Sequence, residues 1–309
     1  MKDFVLLNSL EDPVHIDEKE FERVTRNQYP YKQVYKGEVH YYATCPECEN
    51  PIQLIGLYSS NRKYGAHTGK DIPGLNSFSY ENYIYCPRSI KGHHIEKDKR
   101  KKIVTQKDIN VYNALRDNFD LAIAFVKKHL GYYISDSRAK ELLDVYYNSE
   151  GWLYPHSTVN NTPFMLCYLQ TAFNPYGLLI RKGSDLEKAI LKVKDLKLES
   201  VIDKTDEKKG PQENKYYNRL LPNSDKYMSL SMMVYNHRFK ENNEGVLNES
   251  INIQISKDTS KSPDVKEWKT ILDIKVNIPE LEFIKFINSK PDYRNKKLQR
   301  YAYELMPVI

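Results

Sequence analysis

The sequence predicts an α+β protein built from a small N-terminal module of short strands, a central α-helical region and a C-terminal β-hairpin or sheet with helices. Three patterns support this fold class. Short apolar stretches flank two closely spaced cysteines at 45 and 48, apolar residues recur at three- and four-residue spacing from 109 to 126, and two strand-like stretches flank a polar turn at 241–245. The second pattern is typical of an amphipathic helix and the third of a β-hairpin.

Length and composition predict a globular chain of two or three domains. Its 309 residues are 40% hydrophobic and 28% charged, which is ordinary for a folded protein. We predict a polar lead-in at 1–36 and a metal-binding module with a basic strip at 37–104. An α-helical domain at 105–202, a linker or loop at 203–224 and an α+β domain at 225–309 follow.

Helix-capping signals place the helices of the central region, which we predict to begin at Thr105, at Ser135 or Asp136, at Thr162 and at Ser184. The first should end at Gly131, the third at Phe173 and the last near Leu196. Further helices are predicted over 17–26, 279–287 and 294–305. Strands are predicted over 39–43, 52–58, 227–239, 246–255 and 268–278.

The N-terminus and the hydropathy profile predict a cytoplasmic protein with no membrane partner. No stretch approaches the roughly 18 consecutive apolar residues that a membrane-spanning helix needs. The first residues also lack the basic start, apolar run and small-residue cleavage site of a secretory signal. The abundance of Tyr, Lys and Asn is typical of AT-rich genomes.

Four cysteines are too few for a disulfide scaffold, and three of them lie near histidines, which indicates a metal site. Cys45 and Cys48 form a Cys-x2-Cys knuckle, whose two sulfurs can face one ion. A structural Zn²⁺ takes about four such ligands. Cys86 is the preferred third ligand, because it is a thiolate followed by proline, as Cys45 is. The N-terminal module is therefore predicted to be zinc-ribbon-like.

The fourth ligand stays open between His67 and His94. His67 lies 19 residues after Cys48, and His93 and His94 lie seven and eight residues after Cys86. A histidine outside a ligand set is common at protein surfaces. At least one of the three histidines is therefore expected to be unbound.

The order of these residues resembles the N-terminal zinc-finger region of competence-protein (CoiA-like) families. The resemblance consists of Cys45-Pro-x-Cys48, an apolar strand, the element Tyr64-Gly-Ala-His67, and a cysteine and a histidine before a basic helix. Tyr64 stands where the family pattern has its first histidine. The resemblance covers about 55 residues, favours His67 as a ligand and implies a nuclease-like domain downstream and DNA as a partner.

A basic strip follows the proposed metal site. Eight basic and two acidic residues lie between Cys86 and Lys107, a difference equal to the net charge of +6 of the whole chain. Such a strip is expected where a protein contacts phosphate backbones, although a solvated linker has the same composition. The candidate nucleic-acid contacts are Lys97, Lys99, Arg100, Lys101 and Lys102.

The implied nuclease domain can be sought as two acids and a lysine around a β-hairpin, where Mg²⁺ would activate water. Pro263-Asp264 and Asp273-Ile274-Lys275 match this pattern, which makes Asp264, Asp273 and Lys275 candidate catalytic residues. The short motif of acid, any residue and lysine occurs eight times in the chain, so the match has little specificity. Mg²⁺ is expected only under this alternative.

The leading functional prediction is a zinc-containing, nucleic-acid-associated binding protein of bacterial or phage origin. The first alternative is a metal-dependent nuclease of the PD-(D/E)xK type. The second is a protein-interaction scaffold with a protein partner, in which zinc stabilises a module too small to fold alone.

Overall fold

The computed structural model describes residues 1–7, 13–59, 62–89, 92, 94–203, 212–224, 228–242, 246–260, 267–292 and 294–309. These residues form two compact units. The first unit comprises 1–95 and 238–248, and the second comprises 96–237 and 249–309. Helices and antiparallel sheets occur together, which confirms the α+β class. The domain boundaries derived from composition stay a prediction.

The first unit is built on a four-stranded antiparallel sheet of order β3-β4-β5-β6. Its described elements are β1 (Asp3–Phe4), β2 (Val14–His15), α1 (Glu18–Thr25), β3 (Lys32–Tyr35), β4 (Glu38–Thr44), β5 (Pro51–Ile55), β6 (Tyr64–His67) and α2 (Tyr80–Ile84). Helix α1 begins where the Asp17 carboxylate accepts the amide hydrogen of Lys19. The aromatic residues before Cys86 lie at the end of α2.

The predicted polar lead-in contributes to the core of the first unit. Phe4, Ile16 and Phe21 are all almost fully buried and pack in the same cluster as Ile52 and Cys86. The many charged residues from 11 to 26 make the segment read as polar, although apolar residues are interspersed among them. Three well-separated apolar side chains are nevertheless enough to fix a short segment against a sheet.

The second unit begins with three α-helices and continues with two antiparallel sheets, one short helix between their strands, and then two further helices. Its elements are α3 (Gln106–Leu130), α4 (Asp136–Asn148), α5 (Thr162–Tyr168), β7 (Leu179–Arg181), α6 (Asp185–Ile190), β8 (Leu196–Asp203), β9 (Gln212–Pro222), β10 (Leu230–Glu241), β11 (Leu247–Asp258), β12 (Trp268–Ile278), α7 (Glu282–Asn288) and α8 (Lys296–Leu305). Strand β10 leaves the second unit after His237, and β11 returns to it at Glu249. The sheet orders are β7-β9-β8 and β10-β11-β12.

Local capping signals correctly predicted where the central helices begin. Thr105 forms a capping box with Asp108, Ser135 and Ser184 accept hydrogen bonds from the first turns of α4 and α6, and Gly131 ends α3 in a left-handed conformation. Helices α5 and α6 are shorter than predicted, because the chain turns into loops and strands instead of continuing.

The predicted helical domain and linker contain a sheet that the sequence analysis missed. Strands β8 and β9 include the end of the predicted helical domain and most of the described part of the predicted linker at 203–224, and they pair antiparallel with Leu198 opposite Leu220. From Leu196 to Ile202 apolar and polar residues largely alternate, which favours a strand.

None of the helices in the described part of the chain combines the length and apolar character needed to span a bilayer.

Candidate metal centre

Four side chains of the first unit converge on one point. The Sγ atoms of Cys45 and Cys86 are 3.8 Å apart, and the Sγ atom of Cys48 is 3.3 Å from Nε2 of His67. All four ligand atoms lie within 4.8 Å of one another. A tetrahedral zinc ion with Zn–S bonds of about 2.3 Å separates its sulfurs by about 3.8 Å, whereas a disulfide separates them by about 2.05 Å. The geometry fits a metal site and excludes a Cys45–Cys86 disulfide.

The two sheet hairpins bring the first three ligands together. Cys45 directly follows β4, and its amide donates to the Asn50 carbonyl at 2.9 Å, which closes the knuckle before β5 begins. His67 is the last residue of β6 and lies directly opposite Ile52 of β5. The sheet register thus places the imidazole beside the knuckle.

A buried asparagine, Asn50, joins the Cys45–Cys48 knuckle to the helix that precedes Cys86. The side chain of Asn50 donates to the Ser79 carbonyl at 3.0 Å and accepts from the Ser79 amide at 2.7 Å. Ser79 caps α2, and Cys86 follows that helix. Asn82 of α2 also donates to the Cys48 carbonyl at 3.4 Å. These bonds fix Cys86 relative to the other sulfurs, and no short sequence pattern indicates this role of Asn50.

A tight turn holds the chain after Cys86. The Ser89 amide donates to the Cys86 carbonyl at 2.9 Å, and the Gly92 amide donates to the Ser89 hydroxyl at 2.9 Å. A Cβ atom at position 92 would lie 1.9 Å from the Cys86 carbonyl oxygen, so only glycine fits there. Arg88, whose side chain is 8% exposed, forms ion pairs with Asp3 and Glu47. The first charge of the basic strip is therefore used inside the first unit.

The sulfurs influence one another's ionisation. Hydrogen bonding from Cys45 and then from Cys86 lowers the pKa of the Cys48 thiol to about 4. Hydrogen bonding with Cys45 and then with Cys48 raises the pKa of Cys86 far above its ordinary value. Neighbouring thiolates repel each other, so this pocket holds three of them only with a cation present.

The donor set selects a particular class of cation. Three thiolates and one imidazole suit Zn²⁺, whereas Mg²⁺ and Ca²⁺ require oxygen ligands. His67 packs edge-on against Tyr83, with ring centroids 5.2 Å apart, which restricts the orientation of the imidazole. Cys45, Cys48, Cys86 and His67 would hold the metal here.

The structure distinguishes among the histidines that compete for the fourth place. His67 belongs to the converging group. His94 is exposed and is not a member of any potential metal-binding group in the described part of the chain. His93 lies outside the described residues. The choice of His67 depends on the β5–β6 pairing, which spacing alone does not reveal.

Several side chains of the predicted nucleic-acid strip have partners within the second unit. Lys97 donates to the Gln170 carbonyl at 3.0 Å, and Lys101 pairs with buried Asp108 at 2.5 Å. Arg100 donates to three backbone carbonyls, those of Lys97, Lys99 and Ser149. Lys99 pairs loosely with Glu96 at 3.8 Å, and both side chains are largely exposed. Lys102 is exposed as well. The role of this strip in nucleic-acid binding stays a prediction.

The candidate nuclease residues are described only in part. Asp273 and Lys275 are exposed on β12, and Asp273 accepts hydrogen bonds from the hydroxyl of Tyr235 and, at 2.7 Å, from the amide of Asn252. Asp264 lies outside the described residues. Catalysis with Mg²⁺ at these positions therefore stays a prediction.

The second unit contains a buried polar cluster that the sequence analysis did not connect. His237 is fully buried, and its Nε2 lies 2.6 Å from a carboxylate oxygen of Glu249. Its Nδ1 lies 3.1 Å from the Tyr154 hydroxyl, and Asn161 donates to the same Glu249 oxygen at 2.6 Å. Because up to 95 residues of sequence separate these side chains, no local signal indicates their contact. Tyr154, Asn161 and His237 are buried and bonded within the cluster, which favours a structural role.

The metal site leads to a prediction of zinc content. We expect purified wild-type protein to contain one zinc ion per chain by elemental analysis, and Cys45→Ser and His67→Ala to lose most of it, because three ligands bind zinc much less tightly than four. Cys167→Ser and His94→Ala are the matched controls and should keep full zinc. Full occupancy in His67→Ala with loss in His94→Ala would contradict the ligand assignment.

Comparisons with known proteins add no relatives to this description. No protein-family model, no curated protein and no solved structure matches the chain.

Proposed function

We propose that the first unit is a zinc-stabilised, zinc-ribbon-like module that binds single-stranded nucleic acid. The Cys3His donor set supports the zinc, since its atoms are spaced as tetrahedral ligands. A knuckle between two strands, closed by ligands from a third strand and from the residue after a helix, supports the ribbon-like class. The resemblance to the zinc-finger region of competence-protein families points the same way and stays a prediction.

A groove on the surface of the first unit is the observation that supports nucleic-acid binding. A polar groove of about 390 Å³ lies on the sheet, and its lining includes Tyr35, Lys36, His40, Tyr42 and Lys70. The Tyr35 ring is 59% exposed, and the ammonium groups of Lys36 and Lys70 lie 5.5 and 5.8 Å from its centroid. An exposed aromatic ring beside basic groups suits a stacked base with its phosphates.

The metal site supports the shape of this groove. Lys70 follows the ligand His67 by three residues, and between them the Thr68 amide donates to the Pro51 carbonyl at 3.1 Å. Pro51 begins the strand that leaves the cysteine knuckle. Zinc would therefore fix the end of β6 and, with it, the position of the Lys70 ammonium.

Fluorescence anisotropy with a fluorescein-labelled (dT)12 oligonucleotide at several salt concentrations would test this proposal. Lys36→Ala/Lys70→Ala should weaken binding at low salt and lower the slope of log K against log salt by roughly 0.7 for each lost phosphate contact. Tyr35→Ala should weaken binding with little change in slope, because stacking releases no counterions.

The matched control removes the same charge from the basic strip. Lys99→Ala/Lys102→Ala changes two exposed lysines that lie in the second unit, and it leaves the affinity nearly unchanged if the groove alone makes the phosphate contacts. If this variant weakens binding and the groove variant does not, the contacts lie on the strip. If wild-type protein has no measurable affinity for DNA or RNA oligonucleotides at low salt, the nucleic-acid proposal is wrong and the interaction scaffold becomes the better account.

A further inference from the structure

The second unit contains a cavity of about 300 Å³ bordered by α4, α5, the chain between α5 and β7, and β10. Its floor includes the buried side chains of Leu142, Cys167 and Val234. At its rim, Thr171 and Tyr176 are exposed. A small molecule can therefore reach a buried, mainly apolar floor from solvent. The volume lies at the lower end of the range for small-molecule sites.

Arg138 supplies the single charge among the residues that line the cavity. Its guanidinium carbon lies 5.2 Å from the centroid of the Phe173 ring, which also lines the cavity. One of its nitrogens donates to Glu141 at 2.8 Å, and the two side chains are 34% and 57% exposed. Exposed ion pairs of this kind are weak, and this one uses a single oxygen contact. Within the described part of the chain, no other protein acceptor lies within hydrogen-bond distance of this guanidinium, so its remaining N–H groups can donate to a ligand anion.

Apart from Glu141, which does not line the cavity, no acidic side chain among the described residues of the lining offsets the charge of Arg138. Burial raises the pKa of the Cys167 thiol to about 11 and raises the pKa of the Tyr132 hydroxyl well above its ordinary value. Both groups are therefore uncharged near pH 7. A ligand in this cavity would contact one cation, Arg138, and otherwise mainly apolar side chains.

We propose that this cavity binds a small amphipathic carboxylate, such as an aryl-alkanoic acid. The carboxylate would pair with the planar guanidinium of Arg138, which can offer two parallel N–H donors. The apolar body would lie on Leu142 and Val234. This site is separate from the proposed zinc and nucleic-acid functions, because all its lining residues belong to the second unit.

The test uses 3-phenylpropionate as the probe, titrated into the full-length protein by isothermal calorimetry. We expect saturable binding of the acid and at least about tenfold weaker binding of the neutral 3-phenylpropanamide, which has the same shape without the charge. This comparison needs no variant protein. Absence of binding by the acid, or equal affinities for acid and amide, would overturn the proposal.

Three variants locate the site. Arg138→Gln should weaken the acid at least about tenfold and leave the amide unchanged. Arg300→Gln is its matched control, since Arg300 also pairs with a nearby glutamate and is 82% exposed on α8. Thr171→Trp should block the mouth and abolish binding, with the fold preserved because position 171 is exposed. Unchanged binding in Thr171→Trp would place the ligand elsewhere and refute the proposal.

Discussion

Removal of the metal with a chelator will unfold the first unit and leave the second unit folded. The core of the first unit is a small cluster around Phe4, Phe21 and Ile52, and two of the metal ligands, Cys45 and Cys86, belong to it. Small cores of this kind rarely supply enough stability alone. Structural zinc contributes about 10–16 kcal/mol in zinc-finger peptides, which exceeds the net stability of most domains. Metal loss should therefore be decisive for this unit.

Hydrogen–deuterium exchange measures the two units separately in one sample. We expect the amides of β4, β5 and β6 to lose protection on chelation, whereas those of α3 and α4 keep it because these helices bury their own apolar faces. Added zinc should restore the protection. Cys86→Ser should reproduce the loss without a chelator, and Cys167→Ser should not.

Two outcomes would contradict this account. Simultaneous loss of protection in both units would show that the metal controls folding of the whole chain. Unchanged exchange in β4 to β6 would show that the first unit does not need the metal. The second result would also weaken the proposal that zinc fixes the nucleic-acid groove.

Elements with strong local signals could be predicted from the sequence. Thr105, Ser135 and Ser184 cap helices through bonds to residues three positions away, so short sequence patterns predict them. Strand β12 was likewise predicted with its observed ends, 268 and 278. By contrast, β8 and β9 exist because each pairs with the other, and their many polar residues gave the appearance of a helix end and a linker.

The candidate metal site also combines ligands that local spacing predicts with ligands that depend on long-range contacts. Cys45 and Cys48 are linked by a tight turn, so their spacing alone predicts a knuckle. The assignment of His67 instead depends on its pairing with Ile52, and the support from Asn50 depends on its bonds to Ser79 across 29 residues. Such contacts are fixed by tertiary packing, which no short pattern encodes.

Buried polar contacts are the part of the fold that the sequence concealed most completely. Tyr154, Asn161, His237 and Glu249 lie on four separate segments, and their bonds form only after the second unit is assembled. A carboxylate only accepts hydrogen bonds, so Nε2 of His237 donates to Glu249. In the neutral ring, Nδ1 then accepts the Tyr154 hydroxyl. Each of these side chains is a hydrogen-bond partner of another, so loss of any one leaves a buried polar group without that partner.

Replacement of Glu249 by alanine will destabilise the second unit by about 3 kcal/mol, because the change leaves the donors of His237 and Asn161 buried without their acceptor. Urea unfolding followed by tryptophan fluorescence measures this unit, since both tryptophans of the chain, Trp152 and Trp268, belong to it. Glu249→Gln should cost less, because the amide oxygen still accepts. As the control, Glu304→Ala removes an exposed partner of Arg300 and should change the free energy of unfolding by at most about 0.5 kcal/mol. A loss in Glu249→Ala no larger than in Glu304→Ala would mean that the buried cluster contributes nothing to stability.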